Sequence, residues 1–247
     1  MLNYLKSEMY RVVRIKSTYR ILLACLLMTL VPLIFTWYLG LGDPDFLYNN
    51  TKFVFSFSGK SLSIVLFILP FVANSLFADE YQNGTFKNSV AYGVKREVLY
   101  FGKLILSSII CIMISVIILL IFVSSAEILL QNSGAVYRND FLADIWHSVP
   151  LFLAGLTFSH MLNFITKKAS THIGIYIFIV TLLPNILAQL TVVIAIPEMV
   201  FRLFPDYLIQ VKYWQTTTEW FYCLGILLLY FLMTTVIGLR AFLKRDI

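Results

Sequence analysis

Few residues in this chain have the chemistry of a catalyst or a ligand, and their spacing does not use it. His147, His160 and His172 do not form the His-Glu-x-x-His pattern that holds zinc on one helix face. No serine sits in the Gly-x-Ser-x-Gly turn of a strained nucleophile. Cys25, Cys111 and Cys223 lie far apart inside apolar runs and read as buried small hydrophobes, not metal ligands or a disulfide framework. Gly59-Lys60-Ser61 looks like the end of a phosphate-binding loop, but position 54, where that loop needs glycine, is Val54. An ATPase site in this chain is not expected. What remains is neutral: Asn74, His160, Asn163, Asn185 and Gln189, set within apolar stretches. Such groups line a path for a substrate or join helices by hydrogen bonds, and His160 suits the second role. No Asp, Glu, Lys or Arg is expected deep in an apolar run, which disfavours a voltage sensor and an ion-driven carrier with a buried carboxylate.

The elements that hold these residues follow from composition. Of 247 residues, 60 % are hydrophobic and 13 % charged. Soluble domains have roughly 45–50 % apolar and about 25 % charged residues, so this chain cannot cover a soluble surface. The same balance excludes disorder. The reading is an all-α integral membrane protein with a single transmembrane domain over 1–247. Six apolar stretches approach the ~20 residues that cross hydrocarbon. They run approximately 21–41, 62–78, 104–126, 149–165, 172–196 and 220–239.

Charge sets the expected orientation. With the N-terminus inside, 14 of the 19 Lys and Arg fall in inner segments and 5 in outer ones, which places both termini in the cytoplasm. The net charge of +6 belongs to those loops, so no nucleic-acid partner is expected. No cleavable signal is expected, because the first twenty residues are basic and amphipathic. Leu2, Leu5, Met9, Val12 and Val13 interleave with Lys6, Arg11 and Arg14, as in a helix lying in the inner headgroup region over 1–20.

The inner connection Asp79–Lys103 carries the most information. Gly84 and Thr85 suit a helix start, Phe86, Ser89 and Val90 share one face, and Gly93 suits its stop. A short helix with one apolar face and no local core calls for a docking partner. The pattern Glu80-Tyr81-x-x-Gly84-Thr85-x-Lys87, followed by Arg96 and by Gly102-Lys103 opening a span, resembles the permease subunits of ABC-2 type transporters. The smaller six-span bacterial members, of the bacteriocin-immunity and peptide-export kind, are most similar. The resemblance implies a half-transporter in the cell membrane. A second permease chain, identical or a sister, and two ABC ATPase subunits would complete it. ATP and Mg would be bound by the ATPases, with no cofactor, metal or catalytic residue in this chain. It makes the loop a coupling helix, with Glu80, Tyr81, Gly84, Thr85, Phe86, Lys87, Val90 and Arg96 at the ATPase contact and the basic residues meeting acidic side chains or lipid phosphates.

The outer connection Pro197–Glu219 is too apolar for a free loop, and Pro197 and Pro205 divide it. Two short helices are expected, roughly 198–204 and 206–213, closing the outer end of the path with Phe201 and Phe204 inward. A path lined by Asn74, His160, Asn163, Asn185, Gln189, Phe201 and Phe204 suits export of amphipathic peptides or other hydrophobic molecules. The competing readings are an ion-coupled carrier or channel acting alone, and a membrane partner of a signalling system.

Overall fold

The computed structural model describes residues 2–43, 46–75, 90–91, 93–166, 168–191 and 195–244. Among them the regular elements are helices. The amphipathic α1 (Leu2–Val12) leads into α2 (Lys16–Gly42). Two short helices follow, α3 (Thr51–Lys60) and α4 (Ser63–Ser75). Two long ones come next, α5 (Arg96–Leu129) and α6 (Ala135–Ile165). Then α7 (Ala169–Ile177), a π-helical turn (Phe178–Leu182) and α8 (Leu183–Leu190) form one continuous run. The short α9 (Glu198–Phe201) and α10 (Pro205–Gln210) precede α11 (Thr217–Leu243).

Five of these are long and apolar enough to cross a membrane: α2, α5, α6, the run Ala169–Leu190, and α11. The pair α3 and α4, bent by 63°, qualifies jointly as a sixth. The protein is therefore an all-α, multi-pass membrane protein. Helix α6 is its axis. In the most apolar stretch of α6, 72 % of residues are buried, against 11 % in α2 and 33 % in α5. The other spans turn Leu, Ile, Val and Phe outward, as lipid-facing helices do.

Hydropathy and structure part in three places. Helix α6 starts fourteen residues before the apolar stretch 149–165 does, with Phe141 and Ser148 of the added turns buried against the bundle. Helix α5 runs unbroken from Arg96, so it begins about two turns before the apolar stretch 104–126 does. The outer connection before span two contains α3. Its start is fixed by the Asn50 side chain, which accepts from the Phe53 amide at 2.8 Å. The Thr51 amide and hydroxyl are bonded to Gln131 and Ser133, tying this loop to the α5–α6 loop. Thr216 and Glu219 form a capping box at the start of α11.

Candidate functional site

Side chains of three regions bear on function: the end where α1, α5 and α11 meet, which the charge count expects to be inner; the seam along α6; and the opposite end beneath α9 and α10, expected to be outer.

At the inner end, Glu80, Tyr81, Gly84, Thr85, Phe86 and Lys87 lie outside the described residues. The residues that follow them are described. Val90 and Val94 rest on an apolar cluster with Val12, Leu99, Tyr100, Phe164 and Phe242. Gly93 has φ +84° and its amide bonds to the Val90 carbonyl at 3.0 Å, a backbone stop that favours glycine. Arg96 donates to the Phe242 and Leu243 carbonyls at 3.1 and 2.8 Å. It thus satisfies carbonyls that the end of α11 leaves without helical partners. Its guanidinium also lies over the Phe242 ring, 5.9 Å from the centroid.

One turn on, a Cβ at Gly102 would stand 2.7 Å from the Tyr4 ring, so only glycine lets α1 lie this close. Lys103 is 1 % exposed, and its Nζ is 3.3 Å from Glu8 Oε2, which also accepts from Arg11 at 2.7 Å. Tyr100 donates to the Thr234 carbonyl at 3.1 Å, in space left by Gly238, where a Cβ would stand 2.6 Å from the phenol oxygen. The first two turns of α5 therefore clamp both terminal helices.

Along α6, His160 Nε2 is 3.0 Å from the Tyr100 carbonyl, joining α6 to α5, and its ring meets those of Tyr100 and Phe164 edge-on. The other face carries Gly155 and Ser159. Ser159 Oγ is 3.0 Å from His172 Nε2, and Tyr176 fills the space over Gly155. This small-residue pair is the seat of α7. Asn163 is buried on the same helix.

At the outer end the sequence reading missed an acid. Asp206 is 2 % exposed at the start of α10. Its Oδ2 accepts from Asn185 Nδ2 at 3.1 Å and Gln210 Nε2 at 2.8 Å. Burial pushes its pKa up, against the opposing pull of the Ser63 hydroxyl and the Asn185 and Gln210 amides. Read along the chain, Asp206 is the polar start of an expected short helix; only the folding of α10 onto the bundle buries it. Asn185 also donates to the Thr181 carbonyl at 2.6 Å, one of the acceptors in the π turn. The turn precedes Pro184, which has no amide to continue the ladder. Phe201 is buried and lies beside Tyr207, while Phe204 is half-buried. Tyr230 and Tyr222 on α11 donate to the Leu203 and Arg202 carbonyls, holding the segment down. Of the seven residues read as a path, the structure joins Asn185 to the outer cluster and places His160 and Asn163 in the inner half of α6. Asn74 is half-buried near the end of α4, and Gln189 is exposed on α8.

Lys212 is bonded to Asp144, which also accepts from the Trp214 indole at 3.3 Å. Two clefts flank this pair. One, of about 670 Å³, is lined by Lys60, Ser63, Gln210, Val211, Lys212 and Gln215. The other, of about 660 Å³, includes Asp140, Asp144, His147, Trp214 and Trp220. Among the described residues no group of His, Cys, Asp and Glu is placed to hold a metal.

Comparison with curated proteins gives no match. Residues 4–185, 182 of the 247, match the family described as ABC-2 family transporter protein. The matched stretch takes in α1, the inner loop, the Arg96 and Lys103 clamps and the small-residue seam of α6, and stops at Asn185 before the outer helices. With that match over most of its length, this bundle of lipid-facing helices is a permease-type membrane protein: the chain belongs to the ABC-2 family of membrane transporters.

Proposed function

We propose that this chain is the membrane-spanning subunit of an ATP-driven exporter, with hydrolysis on two copies of a separate ATPase that bind ATP and Mg. A second permease chain, identical or a sister, completes the path. The cargo is an amphipathic peptide or another hydrophobic molecule, in keeping with spans rich in neutral and aromatic side chains. The inner loop rests on the ATPase as a coupling helix, with Glu80, Tyr81, Gly84, Thr85, Phe86, Lys87, Val90 and Arg96 at the contact. The observation that carries this reading is where the loop leads. It enters α5 at Arg96 and Lys103, and these hold the end of α11 and the face of α1. A displacement of the loop would therefore move both ends of the chain together. At the far end α9 and α10, with Phe201 and Phe204, close the exit.

Co-purification tests this. Phe86→Asp is expected to abolish retention of the co-expressed ATPase and the export it drives, with normal membrane insertion, since an apolar anchor at a docked helix contributes about 2 kcal/mol or more. Retained ATPase and export would end the coupling assignment. Asp206 is the observation that favours an ion-coupled carrier instead. Proteoliposomes separate the two: transport that follows a proton gradient without ATP would favour the carrier.

A further inference from the structure

We propose that the cleft between Lys60 and Lys212 is a binding site for a phosphate group presented at the membrane face opposite the chain termini. The inference rests on the cleft and does not depend on the transport reading.

The lining is unusual for this chain. Lys60, Lys212 and Gln215 bring hydrogen-bond donors to it, Lys212 while also bound to Asp144; Gln210 and Ser63 line it with their donors turned to Asp206, Val211 is the apolar wall, and no carboxylate lines it. Phosphate oxygens are strong acceptors, and a lysine ammonium with neutral donors around it suits them. The two acids nearby are turned elsewhere. Asp144 lines the neighbouring cleft and is bound to Lys212 and Trp214, while Asp206 is buried beneath Gln210. Lys60 is exposed and has no ion-pair partner among the described residues.

The backbone is shaped for the same place. Lys212 has φ +51°, the left-handed region that a lysine occupies at a cost. That conformation sends its side chain across the tip of α3 to Asp144. The crossing needs Gly59, where a Cβ would stand 3.1 Å from Asp144 Oδ2 and 3.6 Å from Lys212 Nζ. The bend after Lys60 ends α3 and starts the thirteen-residue α4 at Ser63, so the opposed partial charges of a helix end and a helix start meet beside the lysines. Depth agrees. Trp214 and Trp220 line the adjoining cleft, and indoles concentrate at headgroup level. The Gly59-Lys60-Ser61 triplet, unable to form a nucleotide loop, thus serves a phosphate by another geometry.

The phosphate belongs either to a lipid headgroup or to a soluble molecule. Native mass spectrometry of the full chain in detergent, titrated with phosphatidylglycerol, measures the first. Thermal stabilisation by millimolar inorganic phosphate measures the second. Lys60→Gln is expected to weaken phosphatidylglycerol binding about tenfold, the scale of one charge-assisted hydrogen bond. Lys60→Arg is expected to retain binding, and Lys52→Gln, an exposed lysine on the same helix, to leave it unchanged. Loss of phosphate stabilisation in Lys60→Gln with phosphatidylglycerol binding intact would support the site and assign it to a soluble phosphate. Equal weakening by Lys52→Gln and Lys60→Gln would overturn the proposal, since general surface charge would then explain the binding. No effect of Lys60→Gln on either probe would overturn it as well.

Discussion

Asp206 shows how one side chain can be read from its partners. Its carboxylate accepts two amides and is otherwise closed off. An acid whose pKa is raised by folding favours the folded state while protonated. Stability is thus greatest at low pH and falls as pH rises from the ordinary value of 3.8 through the folded one. Asp206→Asn keeps an acceptor for both amides and removes the charge. It is expected to leave stability at neutral pH unchanged or higher and to flatten that slope in thermal unfolding in detergent. Asp206→Ala removes the acceptor and is expected to cost about 1 kcal/mol, at the low end because Asn185 and Gln210 can turn to water. A steeper slope in Asp206→Asn than in wild type would refute the assignment. Gly155 and Ser159 make a related point: the spacing announces close approach, and the structure supplies the tenants, Tyr176 and His172.

The unit with most at stake among the elements is α1 on α5. An amphipathic helix of eleven residues is marginal alone, so its order depends on docking. Gly102 supplies the space and Lys103 the charge. Gly102→Val is expected to push α1 off α5, destabilising by about 1–3 kcal/mol, as overpacking does. Gly174→Ala, which meets nothing within 4 Å, is the matched control. Lys103→Ala leaves Glu8 with Arg11 and is expected to loosen α1 without the steric cost. Limited proteolysis checks both: cleavage between residues 2 and 15 should quicken in Gly102→Val and Lys103→Ala and not in the control. If Gly102→Val cleaves at the control rate, α1 is held by something other than this contact.

Across the whole molecule, the clamped inner end and the outer clefts lie at opposite ends of α6, so orientation decides which faces the cytoplasm. The expected arrangement has both termini inside. In a background lacking Cys25, Cys111 and Cys223, Asn49→Cys, Gly134→Cys and Gln210→Cys should react with an impermeant thiol reagent on intact cells. Asn88→Cys and Lys168→Cys should react only after lysis. Labelling of Asn88→Cys on intact cells would invert the assignment and every role drawn from it.

Composition and hydropathy by themselves determined that this is a helical membrane protein and where most of its spans run, because a helix in lipid must be apolar over its length and satisfies its own backbone. The motif around Arg96, Gly102 and Lys103 pointed to the family in the same way, since it is local in sequence. Tertiary structure decided the rest. It made α6 the axis, though hydropathy alone ranks α6 lowest of the five spans. Burial by neighbouring helices and contact with lipid select for the same side chains, so hydropathy cannot tell them apart. It turned Arg96 onto the end of α11, 146 residues away. It buried Asp206, which local reading gives only as a charged residue after Pro205. It also joined Lys60 to Lys212 across one cleft. Each of these depends on which residues distant in sequence become neighbours, and no pattern along the chain records that distance.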